Sequence, residues 1–413
     1  MREIEGGVCA PKGFRAGGIR CGIKASSSKR DLALILADTP CTAAAVFTTN
    51  RVKAASVLVS REHLAQGICR AVIANSGNAN ACTGSEGLAA ARRMAALAGR
   101  VFAFPAEQVA VASTGVIGVP LPIAAIEGGM DDLAASLTAD ASGHEAALEA
   151  IMTTDTRKKG GALETEIGGA AVRFGGMVKG SGMIHPNMAT MLGFITTDAA
   201  ISRELLDRAL RRSVARSFNR LTVDGDTSTN DMVLVMASGA AGNPPIEKEG
   251  AGYEAFVEAL ETLCVKLTRA MARDGEGASR LLTVTVRGAV DEAAAEALAK
   301  SVASSSLVKT ACFGADANWG RVLCALGYAG VSFDPEKVAV RFASAAGDIL
   351  VCRKGAPVPF SEEKARKILL EEEIEIRIDL ETSSGGLGGP GEAVVWGCDL
   401  TYDYVKINGD YRT

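Results

Sequence analysis

The 413-residue sequence has few of the residue types on which several common protein classes depend. Its three histidines are His63, His144 and His185, so a histidine-based metal site or a Ser-His-Asp triad has few candidates. The ten cysteines form no Cys-x-x-Cys pair, which argues against zinc ribbons and thioredoxin-like redox motifs. The opening residues, MREIEGG, lack an apolar core, so we expect no signal peptide and a cytoplasmic protein with reduced thiols.

Charge and hydropathy argue against three further classes. With 44 basic against 48 acidic residues and no long basic block, the chain is not expected to bind nucleic acid. A long uncharged stretch over 109–126 contains two prolines and two glycines. A membrane span needs about 20 apolar residues, so we expect no membrane partner. A hydrophobic fraction of 48% with low net charge excludes disorder as the main state.

Glycine, in contrast, is abundant, at 46 of 413 residues, where about 7% is usual. Glycine serves where a backbone turns sharply or approaches another group closely. Four polar segments, 74–84, 113–118, 175–190 and 222–231, are dense in Gly, Asn, Thr and Ser. Polar loops held by rigid elements often carry a protein's chemistry, so these segments are the first candidates for a site.

Hydrophobic periodicity predicts both helices and strands. Apolar residues with a 3.6-residue period predict a helix over 253–271, and helix starts are predicted at a Thr83-x-x-Glu86 capping box, at Ser142-x-x-Glu145 and at Ser202. Alternation predicts strands over 282–286 and 374–380, and apolar runs predict buried strands at 31–37 and 71–74. Grouped strands at 165–197 and 374–407 favour an α+β sandwich over a doubly wound sheet.

Residue chemistry alone leaves several interpretations open. Asp224, Asp226 and Asp231 fit a turn better than a metal site, since the EF-hand spacing is absent. His185 is interpreted as structural. The simplest interpretation of Thr190 is an ordinary β-branched strand residue. If chain cleavage freed its α-amine, however, that amine could serve as the general base for the Thr190 hydroxyl without any histidine.

A resemblance to a known family resolves this choice. The segments 179–184 (KGSGMI) and 186–192 (PNMATML) resemble the self-cleaving motif of the ornithine acetyltransferase family, the bifunctional glutamate N-acetyltransferases of arginine biosynthesis. The resemblance continues, in order, over essentially the whole chain, at residues 6–14, 46–50, 75–84, 114–118, 152–156, 274–278, 318–321 and 408–413.

The resemblance implies a fold and an activity. The fold is α+β, a layered α/β/β/α-type sandwich of the self-cleaving N-terminal-threonine acetyltransferases. The precursor is expected to cut itself between Ala189 and Thr190, after which Thr190 carries the acetyl group from N-acetylornithine to glutamate. No cofactor is expected to be permanently bound, and acetyl-CoA is a candidate co-substrate. The implied assembly is a heterotetramer of two 1–189 and two 190–413 chains.

The resemblance also implies roles for individual residues. Thr114, through its hydroxyl, and Gly115, through its backbone N–H, would form an oxyanion hole. The implied substrate-binding residues are Thr153, Lys179, Thr190, Glu276, Asn408 and Thr413. We expect Glu276 to pair with the ornithine ammonium and Lys179 with a carboxylate. A catalytic domain over 1–280 would precede an α+β domain over 281–413 whose tail returns to the active site.

Two rival functions remain. A hydrolase with the same nucleophile, such as an aminopeptidase or amidase, would pass its acyl group to water. Glu276, Lys179 and the 408–413 tail argue against it. A non-enzymatic binding protein would use the Gly/Asn loops only to hold a ligand.

The first prediction concerns cleavage. Denaturing electrophoresis of the purified protein should show two bands, for chains of 189 and 224 residues, instead of one chain of 413. Thr190→Ala should give a single band, because the attacking hydroxyl is gone. An uncleaved wild-type protein that still transfers acetyl groups would contradict the mechanism.

Overall fold

The computed structural model describes residues 1–24, 28–185, 191–380 and 389–409. Ala189, Thr190 and Thr413 therefore lie outside the described residues. The chain forms two compact units. Unit 1 comprises Met1–Gly180, Pro186–Asn219 and Thr227–Leu267, and unit 2 comprises Ser181–His185, Arg220–Asp226 and Thr268–Thr413. The sequence-based boundary at residue 280 stays a prediction.

The strands of the described residues are numbered in chain order. They are β1 (Arg2–Ile4), β2 (Phe14–Ile19), β3 (Leu32–Phe47), β4 (Ile68–Asn78), β5 (Val109–Val116), β6 (Lys159–Ile167), β7 (Ala170–Lys179), β8 (Leu192–Thr197), β9 (Leu221–Thr222), β10 (Met232–Ala237), β11 (Leu281–Ala289), β12 (Val338–Ser344), β13 (Gly347–Arg353), β14 (Ala356–Pro357), β15 (Glu373–Leu380) and β16 (Gly391–Cys398).

The α-helices are numbered in the same way. They are α1 (Ala55–His63), α2 (Gly84–Phe102), α3 (Ile123–Ala135), α4 (Ala141–Ile151), α5 (Arg203–Ala215), α6 (Ala251–Arg273), α7 (Glu292–Ser304), α8 (Ser306–Phe313), α9 (Trp319–Gly327), α10 (Glu362–Leu369) and α11 (Tyr402–Gly409). No helix in the described ranges is both long and apolar enough to cross a membrane.

Unit 1 is built on a mixed sheet, which has nine strands within the described ranges. The strand order is β1-β6-β7-β8-β10-β3-β4-β5, and β2 pairs with β3 beside this path. The pairs β8/β10 and β4/β5 are parallel, and the other pairs are antiparallel. Apolar residues of α1, α2 and α3 cover one face of β3, β4 and β5, and α4 packs on the other. Burial on both faces explains why these strands read as continuous apolar runs in the sequence.

Close backbone packing in unit 1 depends on glycine at a few positions. A Cβ on Gly175 of β7 would lie 1.9 Å from the Gly7 carbonyl oxygen. Cβ atoms on Gly7 and Gly160 would lie 2.3 Å and 2.4 Å from the buried ring of His144. The glycine surplus in this unit is therefore partly a packing requirement.

Unit 2 is built on a second mixed sheet, with seven strands among the described residues in the order β14-β13-β12-β15-β11-β16-β9. Helices α7 to α10 bury one face, which includes Ile374, Ile376 and Ile378 of β15. The opposite face carries polar pairs such as Thr285 Oγ1 donating to Glu375 at 3.0 Å. This one-sided burial produces the strict alternation that predicted the strand.

The structure confirms the α+β class and most of the predicted elements. The helix predicted over 253–271 is α6, and the Ser202 hydroxyl caps α5 by accepting from Leu205 N–H. Two helix caps were predicted wrongly. Asp140, not Ser142, caps α4, and the Thr83 hydroxyl donates to Asn80 Oδ1 at 2.8 Å instead of capping α2. The strand run predicted up to residue 407 is also wrong at its end, where α11 occupies Tyr402–Gly409.

The second prediction uses two glycines of unit 1 as a matched pair. Gly175→Ala should lower the free energy of unfolding by about 1–3 kcal/mol, because its Cβ would collide with backbone that cannot move aside. Gly128→Ala, at an exposed site inside α3 with no atom near the added Cβ, should instead gain about 0.5–1 kcal/mol of helix stability. Urea unfolding of both variants measures the difference, and equal effects would contradict the packing argument.

Candidate active site

The proposed oxyanion residues lie at a distortion of the unit 1 sheet. Thr114 and Gly115 lie near the end of β5, where the pairing with β4 shifts register between Gly77 and Asn78. Gly115 has φ of +133°, and a Cβ there would lie 2.3 Å from the Gly77 carbonyl carbon. Only glycine fits this backbone, because both the conformation and the space exclude a side chain. Bulges of this kind often redirect groups next to active sites.

Lys179, at the end of β7, meets Thr114 across the sheet. Its Nζ donates a hydrogen bond to Thr114 Oγ1 over 3.2 Å, and both side chains are buried. Lysine has only donors, so Thr114 must accept in this contact. The hydroxyl hydrogen of Thr114 is thereby left for another acceptor, which is the direction an oxyanion requires.

Asp155 holds this side of the site in place. Its carboxylate accepts from Thr153 N–H at 3.0 Å, from Gly180 N–H at 2.8 Å and from Lys159 Nζ at 2.6 Å. Burial alone would raise the pKa of Asp155, but Lys179 and Lys159 outweigh it and hold the pKa well below its usual range. Asp155 therefore stays ionised and connects two predicted substrate-binding residues, Thr153 and Lys179.

Lys24 is a site residue that the sequence analysis missed. Its Nζ donates to the carbonyl oxygens of Arg30, at 3.1 Å, and of Met152, at 2.8 Å. Its stem lies under Gly77, where a Cβ would approach Lys24 Cγ to 2.7 Å. Burial lowers the pKa of Lys24 to about 8. No sequence signal marks it, because a single lysine in a short loop is ordinary.

Asn230 is a second residue that sequence reasoning overlooked. Its Nδ2 donates to the carbonyl oxygens of Ala79, at 2.6 Å, and Ser113, at 2.7 Å. It therefore joins the loop before β10 to the residue that precedes Thr114. The polar segment 222–231 pointed to this region, but its asparagine could not be told from a turn residue by sequence.

Unit 2 brings two other predicted residues together. Asn408 Nδ2 donates to Glu276 Oε2 at 2.8 Å, and Glu276 N–H donates to the Ser181 carbonyl at 2.8 Å. A Cβ on Gly182 would lie 2.2 Å from the Glu276 carboxylate, so glycine is required there. Burial raises the pKa of Tyr404, and the nearby Asp224 and Glu276 raise it further. The carboxylates of Asp224 and Glu276 near Tyr404 are oxygen acceptors suited to a substrate ammonium.

The aspartate-rich turn follows the simpler of its two interpretations. Asp224 accepts backbone N–H groups from Met183 at 2.6 Å, Ile184 at 2.8 Å and Asp226 at 3.1 Å. A carboxylate used in this way stabilises a turn. Within the described ranges, histidine, cysteine and acidic side chains form no group that could hold a metal ion.

The three histidines contact backbone or hydroxyl groups. His144 Nδ1 accepts Val8 N–H at 3.4 Å, His63 Nδ1 lies 2.8 Å from the Val109 carbonyl oxygen, and His185 Nδ1 lies 3.0 Å from Thr222 Oγ1. Burial lowers the pKa of both His144 and His185. These contacts agree with the structural interpretation of His185.

The structure thus gathers the predicted site residues in two groups. Unit 1 holds Thr114, Gly115, Thr153 and Lys179, and unit 2 holds Glu276 and Asn408. The cleavage residues Ala189 and Thr190, and the C-terminal Thr413, lie outside the described residues.

The Thr114 hydroxyl and the Lys179 ammonium, in contact at the ends of strands in an α+β fold, are suited to stabilising negative charge. The ArgJ family model matches residues 15–413. A curated relative from Symbiobacterium thermophilum, named arginine biosynthesis bifunctional protein ArgJ, is 52% identical over 100% of both chains. A relative of the same name from Thermotoga neapolitana is 48% identical over 98% of this chain and 99% of its own. The chain belongs to the ArgJ family and is an acyltransferase of arginine biosynthesis.

Solved structures with similarity cover parts of the chain. A crystal structure of arginine biosynthesis bifunctional protein ArgJ from Bacillus halodurans is 45% identical, with a TM-score of 0.49, and covers 52% of this chain and 97% of its own. Ornithine acetyltransferase from Mycobacterium tuberculosis, solved with ornithine, is 44% identical, with a TM-score of 0.42, and covers 46% of this chain and 99% of its own.

The third prediction concerns the buried ion pair. Asp155→Ala should lower the free energy of unfolding by about 3–5 kcal/mol, because it leaves Lys159 charged and buried without its partner. The double variant Asp155→Ala/Lys159→Met should recover part of this loss, since an apolar side chain tolerates the same site. Urea unfolding of the single and double variants tests the coupling, and simple additivity would contradict it.

Proposed function

We propose that this protein transfers an acetyl group from N-acetylornithine to glutamate through an acetyl ester on Thr190, after its chain is cut between Ala189 and Thr190. The contact of Lys179 Nζ with Thr114 Oγ1 at 3.2 Å, next to Gly115, is the observation that carries the proposal. Membership of the ArgJ family supports it.

The chemistry needs donors where negative charge develops. When the Thr190 hydroxyl attacks the acetyl carbonyl, its proton passes to the Thr190 α-amine and the carbonyl oxygen becomes an oxyanion. The Thr114 hydroxyl and the Gly115 N–H are the donors for that oxygen. Because Lys179 donates to Thr114 Oγ1, it polarises the hydroxyl toward the oxyanion. Each such donor contributes about 10²–10³ in rate.

The first half of the reaction ends when the acetyl–nitrogen bond breaks and ornithine leaves with the proton held by the amine. In the second half, the amino group of glutamate attacks the acetyl ester, its proton passes to the α-amine, and the Thr190 oxygen leaves and regains a proton. Lys179 is the cation for a substrate carboxylate, and Asp155 fixes the backbone on either side of that position.

The acidic group of unit 2 serves the substrate's positive end. Glu276 is buried, and Asn408 orients one of its oxygens at 2.8 Å. A carboxylate held in this way favours the second ammonium of ornithine and disfavours an uncharged side chain. We assign substrate binding to Thr153 and Thr413 as well, on the resemblance alone.

The remaining parts of the proposal rest on the resemblance to the family. Acetyl-CoA serves as a second acetyl donor to glutamate, and no cofactor is permanently bound. The working assembly is a heterotetramer of two 1–189 and two 190–413 chains in the cytoplasm.

The fourth prediction tests the covalent intermediate. Incubation of cleaved protein with N-acetylornithine should add the mass of one acetyl group to the 190–413 chain, as measured by intact mass spectrometry. Thr114→Val should slow this acetylation by about 10²–10³, because one oxyanion donor is lost. Lys158→Met, which removes an exposed lysine paired with Glu145, is the matched control and should acetylate normally.

Chasing the acetylated protein separates transfer from its rivals. Glutamate should remove the acetyl group much faster than buffer alone and yield N-acetylglutamate. Equal loss in buffer would favour a hydrolase, and no acetyl adduct on either chain would favour a binding protein.

A further inference from the structure

Lys24 connects three segments of unit 1. Its Nζ donates to the Met152 carbonyl oxygen at 2.8 Å, directly before Thr153, and to the Arg30 carbonyl oxygen at 3.1 Å. Its stem lies against Gly77 in the β4 bulge, where an added Cβ would approach Lys24 Cγ to 2.7 Å. The ammonium group is therefore fixed beside a residue that the family resemblance assigns to substrate binding.

One N–H donor of Lys24 is left for a ligand. A lysine ammonium has three donors, and among the described residues Lys24 Nζ has two acceptors, the carbonyl oxygens of Met152 and Arg30. The side chain is half-buried, so it is partly open to solvent. An ammonium donor in such a place binds a carboxylate more strongly than it binds a neutral acceptor.

The charges around Lys24 do not balance. Lys24, Lys159 and Lys179 are three cations that lie around Asp155. Asp155 pairs with Lys159 at 2.6 Å. Asp31 is the second carboxylate, and it accepts three backbone N–H groups, including that of Lys24 at 3.0 Å. Three cations with two carboxylates leave one positive charge in excess, and a positive charge away from water needs an anionic partner.

Two neighbouring acids do not supply that partner. Lys179 acts on Asp231, but burial raises the pKa of Asp231 well above its usual range, which favours the uncharged acid. Glu149 pairs with Arg30 at 2.5 Å, so these two groups add no net charge. A bound carboxylate is the group that would balance the described cluster.

We propose that Lys24 is a specificity-determining residue of the substrate site: together with Lys179, it binds the α-carboxylate that ornithine and glutamate share. This inference rests on the proposed function for the identity of the ligand. Lys24 donates its third N–H to one carboxylate oxygen, and Lys179 adds a second positive charge. An amino acid whose carboxylate is replaced by an amide lacks the negative charge that both lysines attract.

The groups that face Lys24 make this binding depend on pH. Burial lowers the pKa of Lys24 to about 8, while Asp31 and Asp155 act in the opposite direction. Lys29 on the same loop and Lys179 on β7 lower it further. A bound carboxylate favours the ammonium form and so raises this pKa. In the free protein the charge is lost as the pH rises through about 8, and the attraction for a carboxylate is lost with it.

The fifth prediction is a binding measurement by isothermal titration calorimetry. The probe is ornithine, which carries the carboxylate but no acetyl group to transfer. Lys24→Met should weaken ornithine binding by about 10–100-fold, because a hydrogen bond between charged groups is lost. Ornithinamide should bind wild type and Lys24→Met within about twofold of each other, because it has no carboxylate. Lys158→Met, at an exposed lysine paired with Glu145, is the control and should bind ornithine like wild type.

Lys24→Arg provides a second readout. Arginine stays charged at any pH used here, so this variant should bind ornithine within about threefold of wild type at pH 7. Between pH 7 and 9 the Kd of wild type should rise up to about tenfold relative to that of Lys24→Arg, because the wild-type ammonium loses its proton. The amino groups of ornithine titrate alike in both measurements and cancel in this ratio.

The outcomes separate this inference from a structural role and from the proposed function. A structural role of Lys24 would weaken ornithinamide binding as much as ornithine binding, and that result overturns the inference. A Kd ratio that does not change with pH, wild-type protein that binds ornithine no more tightly than ornithinamide, or failure of both Lys24 variants to fold also overturns it. If binding follows the expected pattern but no acetyl group reaches glutamate, the proposed function alone fails.

Discussion

The site in unit 1 depends on one buried carboxylate, Asp155. It neutralises Lys159, which is 2% exposed, and it holds the N–H groups of Thr153 and Gly180. Without Asp155, the ammonium groups of Lys159 and Lys179 would repel each other, and burying them would be unfavourable. Because Asp155 stays ionised, Lys179 can be kept away from water and directed at Thr114. The position of Thr114, one of the two proposed oxyanion donors, thus depends on the charge balance around Asp155.

Backbone packing supplies the second constraint. Gly115 allows β5 to press against the β4 bulge, where a Cβ would lie 2.3 Å from the Gly77 carbonyl carbon. Gly182 leaves room for the Glu276 carboxylate in unit 2 in the same way. Glycine at these positions has an entropic cost in the unfolded chain. Part of the glycine surplus in the sequence therefore has a structural reason. At these positions glycine lets backbone and charged side chains come close together with no side chain between them.

The sequence predicted most helices and strands correctly, but it predicted few of the side-chain contacts. Periodicity identified α6 and β15 because each buries one face against an apolar layer. It missed the cap of α4, since Asp140 and Ser142 are both good capping residues and only tertiary context chooses between them. Site residues such as Thr114 and Lys179 came from family resemblance, not from physics. Neither the residue patterns nor the family resemblance identified Lys24, because its contacts are with carbonyl groups that come close to it only after folding.

The scarcity of histidine has a physical explanation in this fold. Burial disfavours the charged imidazole of His144 and His185, so a histidine inside this fold loses basicity. An N-terminal amine is a stronger base in water, with a pKa of about 7.7–8.0, and it is attached to its own nucleophile. In the reaction proposed above, the attack would create an anion on the acetyl oxygen and a cation on the amine together. In that reaction the proposed donors Thr114 and Gly115 would stabilise the anion, and the amine itself would hold the cation, so no histidine would be needed.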